Sequence, residues 1–479
     1  MLKTQQKPFE PVCFTTEGTV TIKGQEIPYK TVSEDNVLLS EAGTPAGSVF
    51  TYSYFRTDVT EEEAKKRPVV FAFNGGPGSS AIWLHWGLLS PKKIEFENPI
   101  DPRQNAPYEL ANNDRCLLDV CDIVVMDPVS CGFGVLIDPA AAPEFFGVDQ
   151  DAAAMELVIE QWLIKYGRMT SPKYIMGESY GTQRAAVLAN ALMGGPTFTN
   201  RTCKGIALDG IILMGTILIS DPSLMPMFEG SMEHSVLNLP TLAATRYYHQ
   251  PVEGISQEDF IEASYTFAAD TYLRALYLGN RLLKAELDAC IEKLTCFTGV
   301  PENWFRANGL RLTTQEYPKV YGETALGKEV GLYDGRYTMD LYHGLQIPDP
   351  VGDDGAMGKY TAYYSAVANG TGKELLGIDF DRPFKAINFD TNMKWNYKAI
   401  RSPFISMQEA LRRNPNLRVL VANGIYDLCT PMGNARYSFS QMAQEPGQVI
   451  IKDYPSGHMV YVGDESYEML TADLHDFVR

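Results

Sequence analysis

Four short stretches of this chain carry residue types able to take part in nucleophilic chemistry. The first is Gly177-Glu178-Ser179-Tyr180-Gly181, a G-x-S-x-G pattern. It follows a short apolar run, Lys173–Met176, and precedes a helical pattern, Thr182–Leu192. Glycines at both ends permit a sharp strand-to-helix turn that lifts the serine hydroxyl out of a sheet. The helix start and the amide of Tyr180 would then face the charge that develops on an attacked carbonyl. A serine hydroxyl is a poor nucleophile without a base. Of the six histidines, His458 stands out, in Pro455-Ser-Gly-His-Met-Val just past an apolar run at Gln448–Lys452. Asp427 lies five residues past another such run, Arg418–Ala422. With the serine on an elbow of this type, the acid and then the base follow it in chain order. Ser179, Asp427 and His458 obey that order, so acyl transfer is the expected chemistry: His458 takes the serine proton and Asp427 orients and stabilises the imidazolium. His475, on an amphipathic C-terminal helix, is expected at the surface, and His85 in a structural role.

The fourth stretch, Asn74-Gly-Gly-Pro-Gly-Ser-Ser, follows the apolar run Pro68–Phe73. Its glycines and proline fix a turn whose amides point at one spot, as an oxyanion-hole loop requires. No P-loop lysine follows, which disfavours phosphate binding. Together, Asn74–Ser80 (NGGPGSS), Gly177–Gly181 (GESYG), the Asp427-Leu-Cys segment and Gly457–Met459 (GHM) resemble the serine carboxypeptidases, peptidase family S10. The segments beginning at Leu239 and Val330 look more like bacterial members. The resemblance implies an α/β-hydrolase fold and a triad of Ser179, Asp427 and His458. It places the oxyanion hole at the amides of Gly76 and Tyr180, with Asn74, the Gly75 amide and Glu178 holding a substrate's terminal carboxylate. It implies peptide substrates with a free C-terminus, and neither cofactor nor metal. Glu178 can donate to a carboxylate only while protonated, so binding should weaken as pH rises through its pKa. Three positions depart from the family pattern. Ser79 stands where the family usually has Cys, Ala72 where it has Trp and Leu88 where it often has Glu, and the last two usually support carboxylate binding. An acyltransferase on the same scaffold is the alternative reading; a proline-specific aminopeptidase and a non-catalytic protein fit less well.

These residues need a scaffold. Pro68–Asn74, Asp122–Asp127, Tyr174–Met176, Ile206–Leu213, Arg418–Ala422 and Gln448–Lys452 read as buried strands. Helical patterns such as Asp149–Tyr166 alternate with them, which implies a mainly parallel central sheet flanked by helices. Thr19–Lys23, Glu26–Val32 and Val49–Phe55 alternate apolar with polar residues, as antiparallel strands with one wet face do. The rhythm breaks over 220–385, rich in Tyr, Leu and Ala, with helices expected at Gln257–Leu278 and Arg281–Lys293. This predicts a core over 1–219, a helical cap insertion over 220–385, and the rest of the core over 386–479.

Across 479 residues, 45% hydrophobic and 21% charged residues exclude wholesale disorder. A net charge of −18 argues against nucleic acid and anionic membranes as partners. The beginning of the chain has no apolar stretch of signal-peptide length, so a cytoplasmic location is expected, with the eight cysteines reduced. Asp353-Asp354 reads as an acidic surface loop rather than a metal site. Oligomeric state and side-chain preference are not encoded in any motif.

Overall fold

The computed structural model describes residues 8–103, 105–194, 203–219, 232–341 and 349–479. The apolar runs become the middle of one sheet built from β1 (Cys13–Ile22), β2 (Gln25–Leu39), β3 (Pro45–Arg56), β4 (Val69–Phe73), β5 (Asp122–Asp127), β6 (Lys173–Glu178), β7 (Gly210–Met214), β8 (Arg418–Gly424) and β9 (Val449–Tyr454). Among the described residues they stand in the order β1-β2-β3-β5-β4-β6-β7-β8-β9, with short Val135–Leu136 pairing alongside β3. β1, β2, β3 and β5 pair antiparallel in succession. From β5 to β9 every pairing is parallel.

The parallel strands bury both faces, which is why they lack polar alternation. Val70 and Ala72 of β4 enter one apolar layer, while Val69, Phe71 and Phe73 enter the other. Leu420 and Ala422 of β8 divide from Val419 and Val421 in the same way. Helices Val148–Lys165, Tyr180–Leu192 and Pro403–Arg413 cover one face; Met357–Asn369 and Asp464–Val478 cover the other. β1 keeps one wet face, its residues alternating between exposed and more covered positions along most of the strand. This is the α/β-hydrolase fold. The carboxyl ends of β4, β6, β7, β8 and β9 share one edge of the sheet, and the loops leaving them hold Asn74, Ser179, Gly215, Asp427 and His458.

Between β7 and β8, helices Met232–His249, Gln257–Phe267 and Lys284–Thr298 enclose their own apolar layer, with Leu239, Leu242, Phe260, Ile291 and Leu294 inside. Helix Met357–Asn369 joins the sheet's layer instead, through Tyr360, Tyr363 and Tyr364. We propose the division into 1–219, 220–385 and 386–479 on this basis, with a cap that both roofs the sheet edge and contributes to its packing. The helix expected over 257–278 is interrupted by a π-helical turn, Ala268–Tyr272. There Tyr272 is buried, and its hydroxyl donates to the Leu310 carbonyl at 2.6 Å.

Candidate active site

β6 ends at Glu178, and Ser179 turns into helix Tyr180–Leu192 with φ +62° and ψ −129°. A non-glycine residue held there costs on the order of 1–3 kcal/mol. The turn is fastened from both sides. The Ser179 N–H donates to the Met214 carbonyl at 2.9 Å, and the Thr182 amide and hydroxyl donate to the Ser179 carbonyl at 2.8 and 2.7 Å. Strand and helix cross so closely that a Cβ at Gly177 would lie 2.2 Å from the Gly181 carbonyl oxygen. Ser179 is left half-buried between two fully buried neighbours, Glu178 and Tyr180.

The loop after β4 lies directly on this elbow. A Cβ at Gly75 would be 2.4 Å from the Tyr180 amide nitrogen, so only glycine fits. Gly76 has φ +102°. Two buried charges hold the loop. Asp127, at the end of β5, accepts from the Ala81 amide at 2.8 Å, the Tyr52 hydroxyl at 2.9 Å and the Phe133 amide at 3.2 Å. Burial still pushes its carboxyl up to about 6. Arg184, wholly buried, pairs with Asp151, donates to the Asn74 carbonyl and lies over the rings of Phe73 and Tyr180. The sequence reading missed the Arg184–Asp151 pair; a lone Arg among the small apolar residues of this helix was the available signal.

Asp427 and His458 meet as expected. The Asp427 Oδ1 accepts the amides of Cys429 and Thr430 at 2.9 and 2.8 Å; its Oδ2 accepts the Thr430 hydroxyl at 2.5 Å and His458 Nδ1–H at 2.8 Å. Burial disfavours the imidazolium, but the Asp427 carboxylate and then Glu178 outweigh it, so the His458 pKa is raised. Gly215, the residue after the Met214 carbonyl that holds Ser179, lies against the imidazole: a Cβ there would be 3.1 Å from Cε1 and Nδ1. None of the His458 ring bonds uses Nε2, the nitrogen a serine hydroxyl would approach. The cap secures this loop. The His458 amide donates to the Tyr333 carbonyl at 2.7 Å, and Arg336, paired with Asp334, donates to the Pro455 carbonyl at 2.8 Å and the Ser456 hydroxyl at 3.1 Å.

Asn74 and Glu178 also meet: the Asn74 amide donates to Glu178 Oε1 at 2.6 Å, while Asn74 Oδ1 accepts the Leu84 amide at 3.1 Å. Burial pushes the Glu178 carboxyl up to about 7, against the pull of His458 and with the push of Asp427. Its Oε2 is buried without a hydrogen-bond partner. Ala72 and Leu88 are both buried in the apolar layer. Ser79 accepts from the Trp83 indole at 3.3 Å, and all eight cysteines are free.

Two surface expectations fail. His475 is buried, bonded to the Thr471 carbonyl and at 2.8 Å from Asp119, because the short turn Leu117–Asp119 lies over the C-terminal helix. Asp354 is buried too, its carboxylate accepting the amides of Leu332, Ala356 and Met357. His85 is structural as expected. It bonds the Tyr54 hydroxyl at 2.6 Å, and burial pushes its pKa down to about 3. Among the described residues no His, Cys, Asp and Glu cluster is arranged for a metal, and no helix is long and apolar enough to cross a membrane.

The serine carboxypeptidase family model matches residues 46–454, stopping short of His458, whose assignment therefore rests on geometry and spacing. The chain is similar to the solved structure of Kex1Δp, a prohormone-processing carboxypeptidase from Saccharomyces cerevisiae, at 12% identity and a TM-score of 0.57, covering 93% of this chain and 91% of that one. At this identity the likeness shows the fold. A proline iminopeptidase from Mycobacterium smegmatis matches at 12% identity and a TM-score of 0.37, covering 93% and 97% of the two chains. A search of curated proteins found no match. With a serine on a strained elbow, a paired Asp427 and His458, and a family match over most of its length, the chain is a serine hydrolase that belongs to the serine carboxypeptidase family.

Proposed function

We propose that this enzyme releases the last residue of peptides through an acyl-enzyme on Ser179. His458 Nε2 takes the hydroxyl proton as Ser179 attacks the last peptide carbonyl. Asp427 keeps the Nδ1–H tautomer and stabilises the imidazolium. The amides of Gly76 and Tyr180 receive the oxyanion. His458 then protonates the departing amino acid, and water attacks the ester by the same route in reverse.

The observation that carries the exopeptidase reading is the Asn74–Glu178 pair, one residue from the nucleophile, with Glu178 Oε2 unpartnered and its carboxyl raised to about 7. A neutral acid beside an amide is a receptor for a carboxylate, and the Gly75 amide is the third donor. Docking the free C-terminus there sets the last peptide bond over Ser179. Internal bonds lack that anchor. The segments beginning at Leu239 and Val330 support placing the enzyme with the bacterial-type members.

Blocked dipeptides, as free acids and as amides, test the reading with wild type and Ser179→Ala. Wild type should release the C-terminal amino acid from the acid far faster than it cleaves the amide, and Ser179→Ala should lose several orders of magnitude in kcat. Equal cleavage of acid and amide would overturn it.

A further inference from the structure

Buried polar atoms in folded proteins are nearly always hydrogen-bonded, so two bare ones side by side call for a partner. Glu178 Oε2 and the Tyr461 hydroxyl are such a pair: they lie within reach of each other, yet neither makes a hydrogen bond of good geometry. Tyr461 is 4% exposed and Glu178 2%. The phenol lies close enough to the carboxyl to stabilise its charge, and the carboxyl in turn disfavours loss of the phenolic proton. Asn74 already occupies Oε1. The other groups acting on Glu178 are His458 and Asp427, which are bonded to each other; Tyr364 is a further neighbour, whose own proton burial and then Glu178 both hold. Tyr461 stands three residues after His458, and its ring packs against Gly87, where a Cβ would come within 2.6 Å of it.

We propose that Tyr461 is a specificity residue, its hydroxyl donating to the same terminal carboxylate that Glu178 receives. The idea rests on the exopeptidase reading above and adds one donor to that reading. Tyr461 borders a cavity of about 560 Å³, also lined by Gly87, Tyr363, Tyr364 and Tyr467. A phenol stays protonated across the working pH range, so this donor persists after Glu178 has ionised.

Tyr461→Phe tests it. The variant should raise KM for free-acid dipeptides on the order of tenfold, the worth of one hydrogen bond to a charged group. Its kcat should change little, and its preference for acid over amide should narrow by the same factor. Because the hydroxyl makes no well-formed hydrogen bond in the free protein, the melting temperature should change little, and fluorophosphonate labelling of Ser179 should persist. A fall in melting temperature or a failure to fold would show that the hydroxyl is engaged in the free protein and overturn the proposal. So would an unchanged KM, or a kcat loss equal for acid and amide. If wild type itself cuts acid and amide alike, the exopeptidase reading falls and Tyr461 with it. If wild type prefers the acid and Tyr461→Phe keeps the full preference, only the Tyr461 proposal falls.

Discussion

Glu178 and His458 titrate in opposite senses against the same reaction, and this sets the pH behaviour. Burial lifts Glu178 to about 7, so below that pH it carries a proton and can donate to a carboxylate. Above it, a carboxylate bound there as proposed would face a second negative group. KM for free-acid peptides should therefore rise as pH passes upward through about 7, with kcat less affected. Glu178→Gln keeps a donor without a titrating proton and should flatten KM from about pH 5 to 9. A wild-type KM that is flat over that range would refute the assignment. His458 must be neutral to accept the serine proton. Its raised pKa means that kcat should fall as pH drops through it, because Nε2 then takes up a proton while Asp427 keeps the one on Nδ1. The two limbs together give a kcat/KM that rises and then falls. The Ser179 elbow, the Asp427–His458 contact and the Asn74–Glu178 pair were legible because each sits beside a glycine in a short motif at the end of an apolar run. Tyr461 was not, since its neighbours are brought to it by the fold and no local pattern marks it.

At the scale of elements, the loop after β4 and the helices beside it depend on charges placed where water cannot reach. Arg184 joins helix Tyr180–Leu192 to Asp151 of helix Val148–Lys165 and to the Asn74 carbonyl. Arg184→Met should cost about 3–5 kcal/mol in urea unfolding, because Asp151 is left buried and unpaired. Adding Asp151→Leu should recover part of that loss, since an apolar pair of similar volume is tolerated. A single variant as stable as wild type would show that Asp151 finds another partner. The strands were easy to foresee, because a sheet buried on both faces writes itself as continuous apolar sequence. Their ends moved by only a few residues: Tyr174–Met176 became Lys173–Glu178, and Gln448–Lys452 became Val449–Tyr454. Helix 257–278 was harder. The π-helical turn at 268–272 shifts the register without changing composition, and periodicity does not reveal it. His475 and Asp354 were misjudged for a related reason: a titratable residue looks solvated until tertiary contacts supply its partners.

Over the whole molecule, a net charge of −18 surrounds a site proposed to receive an anionic terminus. Long-range attraction therefore favours peptides whose other residues are basic. For a peptide rich in Lys or Arg, kcat/KM should fall severalfold as salt rises from about 20 to about 200 mM, while a neutral analogue stays nearly constant. Identical salt responses for the two would exclude steering. The same scale governs how the enzyme could be altered. The loop bearing the imidazole is tied to the inserted segment by the Tyr333 carbonyl and by Arg336. The inserted segment and the His458 loop are thus one mechanical unit. A foreign roof grafted over this sheet to change substrate choice would bring the wrong clamp. Such a hybrid would lose turnover before it gained a new taste, unless residues 455–462 travelled with the graft.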